Sequence, residues 1–361
     1  MTAPRPALFL LLLSALLVSA CWVDADFPDY DLSDTPFSNA YLPRGEALLR
    51  VESADGFSCP DGSTPLIYFV TPAGATTDIP GAVLFHGSNF DYIDSTGDLF
   101  EGQDRLTGLW AQQQVHDLLG ISTEGNPIEA RGAWVAALIQ HGYRVAAPAN
   151  CWGDLWHGLG QGDLAAEGFL RQGGFLASET VLRLQAQPGA YPDRLLALGL
   201  AEGGRAITEL ALAGVAVHAA VLDASPDALA PRITGSAVDQ PYTDGLLKIY
   251  DYDVRLAADE ESAAELLRAA LTRDSLANPI ANLNYRVPLF YGYSGVDERI
   301  SLEATLPAAT AILTHYPVGT YEIVDWDTPE TAPSNGRLDR ANATLDWFET
   351  LLPALPSPAP E

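Results

Sequence analysis

Leu195-Leu-Ala-Leu-Gly199-Leu-Ala201-Glu-Gly203-Gly-Arg205 is the stretch that decides how the rest of the chain is read. A short apolar run ends in a glycine, small residues follow, and a helix-compatible segment runs from Ala206 to Ala213. That order marks a buried parallel strand turning sharply into a helix. Gly199 and Gly203 stand two residues before and two after Ala201. Glycine at both places removes side chains that would collide where the strand and helix backbones nearly touch. With Glu202 at the apex instead, Leu200 would fill the small site before it and jam the turn, so Ala201 is the central residue.

Working outward, strand-like runs lie at Ala47–Val51, Leu66–Val70, Ala82–His86, Arg144–Ala147, Ala219–Asp223, Val287–Gly292 and Tyr321–Asp325. Helix candidates lie at Leu109–Leu118, Gly132–Gln140, Phe175–Gln187, Leu302–Leu313 and Leu338–Leu352. Strands alternating with helices at this spacing predict a mostly parallel sheet covered on both faces. Two segments are too long for core connections. Asn89–Arg131 reads as an irregular wall, and Pro231–Asn284, with a charged helix at Ala258–Thr272, reads as an insertion.

The Gly-x-Ala-x-Gly frame resembles the G-x-S-x-G nucleophile elbow of the α/β-hydrolases, with alanine where that family carries its serine. Ala82–His86, ending in Gly87 and Ser88, resembles the family's strand and loop that give one oxyanion-hole N–H. Glu202 would give the other. Gly142-Tyr-Arg-Val-Ala-Ala-Pro148 is similar to the fourth-strand region. The Gly203-Gly204 pair and the Tyr191-Pro-Asp193 lead-in are similar to the dienelactone-hydrolase and prolyl-oligopeptidase branch. The resemblance implies a doubly wound, mostly parallel sheet over residues 41–352, with a helical cap at about 231–284. It also places the triad's acid at Asp297, after the Val287–Gly292 strand. A loop aspartate near the start of the helix around Ser301 is the alternative reading of Asp297. The family's histidine would follow the last strand, between Trp326 and Gly336, but no histidine occurs there or anywhere after His315.

Two of three triad members are therefore missing. Loss of nucleophile or base from a related triad costs about 10⁶ in turnover. An oxyanion hole made of backbone N–H groups needs no side chain and can outlive the chemistry. The resemblance thus implies an inactive hydrolase-like protein with a binding or scaffold role for a small-molecule or protein ligand. The alternative is an esterase or peptidase whose chemistry has moved to Ser88, Asp154 and His157. One aspartate and one histidine are too few for a metal site. Neither a metal nor another cofactor is expected.

The N-terminus reads as an address. Arg5 precedes an apolar run, Ala7 to Val18, shorter than a bilayer-spanning helix needs. Leu17-Val-Ser-Ala-Cys21 resembles the lipobox of bacterial lipoproteins, which implies cleavage after residue 20 and acylation of Cys21. More than one acyl chain gives stable anchoring. The expected location is the extracytoplasmic cell envelope, with the membrane as partner. Residues 21–40 are acidic and proline-bearing, as in a tether, and Pro353–Glu361 is expected to be disordered. Beyond Cys21 only Cys59 and Cys151 remain. In an exported protein they suggest one disulfide, two buried thiols being the alternative. A net charge of −28 opposes nucleic acid as a partner and favours a solvated acidic surface.

Overall fold

The computed structural model describes residues 34–59, 62–86, 108–121, 132–150, 155–156, 173–200, 203–223, 287–293, 302–326 and 334–352. The strands in chain order are β1 (Thr35–Phe37), β2 (Ala47–Ser53), β3 (Phe57–Ser58), β4 (Leu66–Pro72), β5 (Ile79–Phe85), β6 (Arg144–Pro148), β7 (Leu155–Trp156), β8 (Ala190–Leu200), β9 (Ala219–Asp223), β10 (Leu289–Tyr293) and β11 (Tyr321–Asp325). Nine of them form the main sheet, in the order β1-β2-β4-β6-β5-β8-β9-β10-β11. Pairing from β6 to β11 is parallel, while β1, β2 and β4 join antiparallel. The two shortest, β3 and β7, pair apart from it.

Six helices complete the described chain: α1 (Gly108–Leu119), α2 (Ala133–Gln140), α3 (Gly173–Gln185), α4 (Gly204–Leu212), α5 (Leu302–His315) and α6 (Ser334–Leu351). Because side chains alternate along a strand, both faces of the central strands must be apolar. They are: Leu195 and Ala197 join the core that α3, α4 and α5 cover, while Leu196 and Leu198 are fully buried without belonging to it. This is the doubly wound α/β arrangement expected from the alternation of runs. Among the described residues no helix is long and apolar enough to cross a membrane.

Two departures have local causes. The tether ends earlier than residue 40, because Thr35–Phe37 pairs with Ala47–Leu49 and buries Phe37. The lead-in to the elbow strand is itself strand. Pro80 pairs with Tyr191 but Gly81 pairs with Leu195, so residues 192–194 bulge from the ladder.

The bulge turns Arg194 inward, where it is 2% exposed. Its Nη2 meets Glu349 Oε2 of α6 at 2.5 Å, and its Nε donates to the Tyr143 hydroxyl at 2.8 Å. That hydroxyl donates to Glu349 Oε1 at 3.3 Å. Burial pushes the Tyr143 phenol above its ordinary range. Glu349 itself is part-exposed, but the cation from which its removal takes a carboxylate is buried. We expect Glu349→Ala to lower stability by about 2 kcal/mol, below the figure for a wholly buried pair because water screens one side. A urea unfolding midpoint unchanged from the parent would refute this.

Candidate functional site

The elbow is as tight as its glycines require. β8 runs through Leu200 and α4 begins at Gly204, leaving three residues for the reversal. A Cβ added at Gly199 would lie 2.5 Å from both Cα and N of Gly204. One added at Gly203 would lie 2.4 Å from the Phe85 carbonyl oxygen and 2.7 Å from that of His86. Side-chain carbons do not approach backbone this closely, so both sites admit only glycine. The Gly203 contact also presses the end of β5, the root of the Gly87–Ser88 loop, against the start of the elbow helix. Gly87, Ser88, Asp154, His157, Ala201, Glu202 and Asp297 lie outside the described residues, as do Cys21, Cys151, the cap at 231–284 and the tail.

Histidine placement bears directly on the chemistry. Five of the chain's six histidines are described. His141, His218 and His315 precede β6, β9 and β11, at the amino edge of the parallel strands and opposite the elbow. The His218 Nδ1 accepts the Leu195 N–H at 3.0 Å, and burial lowers its pKa. His116 of α1 is buried with its Nε2 3.0 Å from the Tyr68 hydroxyl and its ring edge-on to that phenol. Burial lowers its pKa, which favours the neutral imidazole. Tyr68 stands on β4, three strand positions from β8, about 14 Å at ordinary strand spacing. Only His86, buried at the end of β5, is a described histidine on the elbow's edge of the sheet.

The last strand ends not in an imidazole but in an aromatic and cationic stack. Trp326 N donates to the Tyr293 carbonyl at 2.7 Å, which extends the β10–β11 pairing past Asp325. Its ring stacks on Phe290 at 5.9 Å, with the Arg340 guanidinium 4.5 Å from its centroid. Arg340 Nη1 reaches both carboxylate oxygens of Asp223, at 3.4 and 3.5 Å, and both residues are buried. Gly292 makes room between them, because a Cβ there would sit 2.5 Å from both Asp223 Oδ1 and Trp326 Nε1.

Sequence reading missed this cluster. Its signal was Asp223 itself, an acid closing the apolar run Ala-Ala-Val-Leu, which needs a cation if that strand is buried. Asp223 ends the strand beside the elbow strand, in register with Leu200, but its charge is committed to Arg340. We expect Asp223→Ala to cost about 3 kcal/mol, because it takes a buried carboxylate from a buried guanidinium. Thermal unfolding within a degree of the parent would show the pair to be unimportant.

Cys59 is buried and disulfide-bonded, its partner lying outside the described residues. The antiparallel β3–β7 ladder sets Ser58 opposite Leu155. Among the described residues no group of three or more histidine, cysteine or acidic side chains could hold a metal ion.

No protein-family model matches the chain, and no curated protein matches its sequence. Solved structures do match in shape. An acetyl xylan esterase from a Paenibacillus species aligns at 13% identity over 98% of this chain and 96% of its own, with a TM-score of 0.54. Acetyl xylan esterase 1 from a Thermoanaerobacterium species aligns at 15% identity over 89% of each chain, with a TM-score of 0.50. An acylaminoacyl peptidase from Pyrococcus horikoshii aligns at 15% identity over 85% of this chain but 42% of its own, also at 0.50. At such identities the likeness shows the fold alone, and the fold is that of the α/β-hydrolases.

Proposed function

We propose, on the premise of an α/β-hydrolase fold with its elbow frame kept and alanine at the apex, that this protein binds a ligand without cleaving it. The carrying observation is the Gly203 contact. The end of β5 and the start of α4 still meet as closely as backbones can, although residue 201 has no nucleophilic atom. Backbone N–H groups at Glu202 and near Ser88 would then serve as donors for a carbonyl or carboxylate oxygen, because such a hole rests on main-chain geometry. Four of the five described histidines lie on the far edge or three strands away, which supports a site without a general base.

The same reading makes the protein a lipoprotein of the bacterial cell envelope, anchored through acylated Cys21. Acylation consumes the Cys21 thiol and leaves Cys151 as the partner of Cys59. In support, only three residues separate Cys151 from Leu155, which β7 places opposite Ser58. The β3–β7 ladder ties Leu155 and Trp156 to the β2–β4 connection.

Assay of the purified protein with p-nitrophenyl acetate and an aminoacyl p-nitroanilide should give hydrolysis at the buffer rate. Turnover well above buffer that disappears in Ser88→Ala or His157→Ala would overturn this reading in favour of a relocated hydrolase. Palmitate labelling in a bacterial host should be lost in Cys21→Ala. Label surviving that change would sink the anchor.

A further inference from the structure

At the amino edge of the parallel strands, away from the elbow, a void of about 10 Å³ opens between Gly81 of β5, Arg144 of β6, Leu195 of β8 and Leu184 of α3. That volume is about that of one water-sized sphere, so the void can enclose a single water or small ion but not a whole polyatomic anion.

Arg144 is the polar group of interest on its wall, 7% exposed. Its Nε donates to Thr71 Oγ1 at 3.1 Å and its Nη2 to the Pro188 carbonyl at 3.0 Å. Its Nη1 is buried and donates to no acceptor among the described residues. Both engaged acceptors are neutral, so no described carboxylate in contact balances the charge. Burial first, then the nearby Arg50 charge, hold the Arg144 pKa below the ordinary arginine value, and Asp34 opposes them without forming an ion pair. Arg194 lines the same void as a second cation, although Glu349 takes its Nη2. A water molecule there would accept a hydrogen bond from Nη1 but leave the buried charge unbalanced. A buried guanidinium without a counter-charge is strongly disfavoured, and an anion small enough to enter would remove both deficits together.

We propose that this void is a binding site for a monatomic anion, chloride in the first instance, held by the Nη1 end of Arg144. The site is independent of any activity at the elbow. Gly81 stands on its wall: an added Cβ would crowd Leu184 Cδ2 at 3.0 Å and Leu195 Cδ1 at 3.2 Å, both of them wall atoms. The tips of two leucines must yield to that methyl group, so Gly81→Ala repacks the wall of the void while leaving the arginine in place.

The test is the thermal midpoint of the purified protein in sodium chloride, bromide or gluconate at equal ionic strength. Chloride and bromide should raise it by about 2–4 °C in a saturable way, and gluconate should not. The rise should vanish in Gly81→Ala and in Arg144→Met. If Arg144→Met fails to fold, bromide-soaked crystals of the parent decide the matter, with an anomalous peak expected beside Nη1. Equal midpoints in all three salts, a chloride response retained in Gly81→Ala, or a water and no halide at that position would each overturn the proposal.

Discussion

Gly203→Val is expected to abolish the cooperative fold, or to lower stability by about 4 kcal/mol or more where a folded fraction survives. The first carbon added at this position would already stand 2.4 Å from one carbonyl oxygen and 2.7 Å from the next. Both oxygens belong to the backbone of β5 and its end, at the centre of the sheet between β6 and β8. No rotamer change relieves the overlap, so either the sheet or the helix start must move. Overpacking of a side-chain core costs about 1–3 kcal/mol, and backbone against backbone is stiffer still. Gly214→Ala is the control. Gly214 adopts a φ of +73° with nothing within 4 Å of an added Cβ, so its expected cost is the left-handed penalty alone, about 1–2 kcal/mol. Near-ultraviolet circular dichroism and urea unfolding separate the two. A Gly203→Val protein as stable as Gly214→Ala would mean that strand and helix do not touch there.

The second large effect is an absence. Ala201→Ser returns the hydroxyl that the G-x-S-x-G frame carries, yet we expect ester hydrolysis to stay about 10⁶-fold below that of an intact triad. A serine hydroxyl needs a base to take its proton during attack, and no histidine follows His315. The end of the last strand is instead occupied by Trp326 under the Arg340 guanidinium, which donates and cannot accept. Adding back the hydroxyl therefore restores one part of three. The measurement is burst and steady-state release of p-nitrophenol, together with labelling by a fluorophosphonate probe. Rapid stoichiometric labelling of the introduced hydroxyl in Ala201→Ser would show that a base is in place after all.

Much of this architecture is written locally in the chain. β9 occupies the predicted apolar run Ala219–Asp223, because a strand buried on both faces needs uninterrupted apolar residues, and β11 occupies the predicted Tyr321–Asp325, whose alternating Tyr, Ile and acidic residues suit an edge strand. α4 starts two residues before the expected Ala206, since Gly204 belongs to the helix as well as to the turn. β1 was not legible, because Thr35-Pro-Phe37 follows an acidic, proline-bearing run and becomes a strand only by pairing with β2. β3 and β7, two residues each, carry no periodicity to detect. The same limit hid the ion pairs. Arg194 meets Glu349 and Asp223 meets Arg340 across more than a hundred residues of chain, and nothing near any of the four names its partner. The elbow glycines could be read because their requirement is steric and local.

An open sheet has two outermost strands whose unpaired main-chain groups invite further strands from other molecules. Among the described strands one margin is β1, three residues long with Pro36 at its centre, which has no N–H to offer. The other is β11, where exposed Glu322 and Asp325 interrupt a Tyr, Ile and Val sequence that would otherwise template growth. Copies anchored as proposed above would meet at far higher local density than in dilute solution. Margins blunted by imino chemistry on one side and by negative charge on the other would keep such a crowd from polymerising edge to edge.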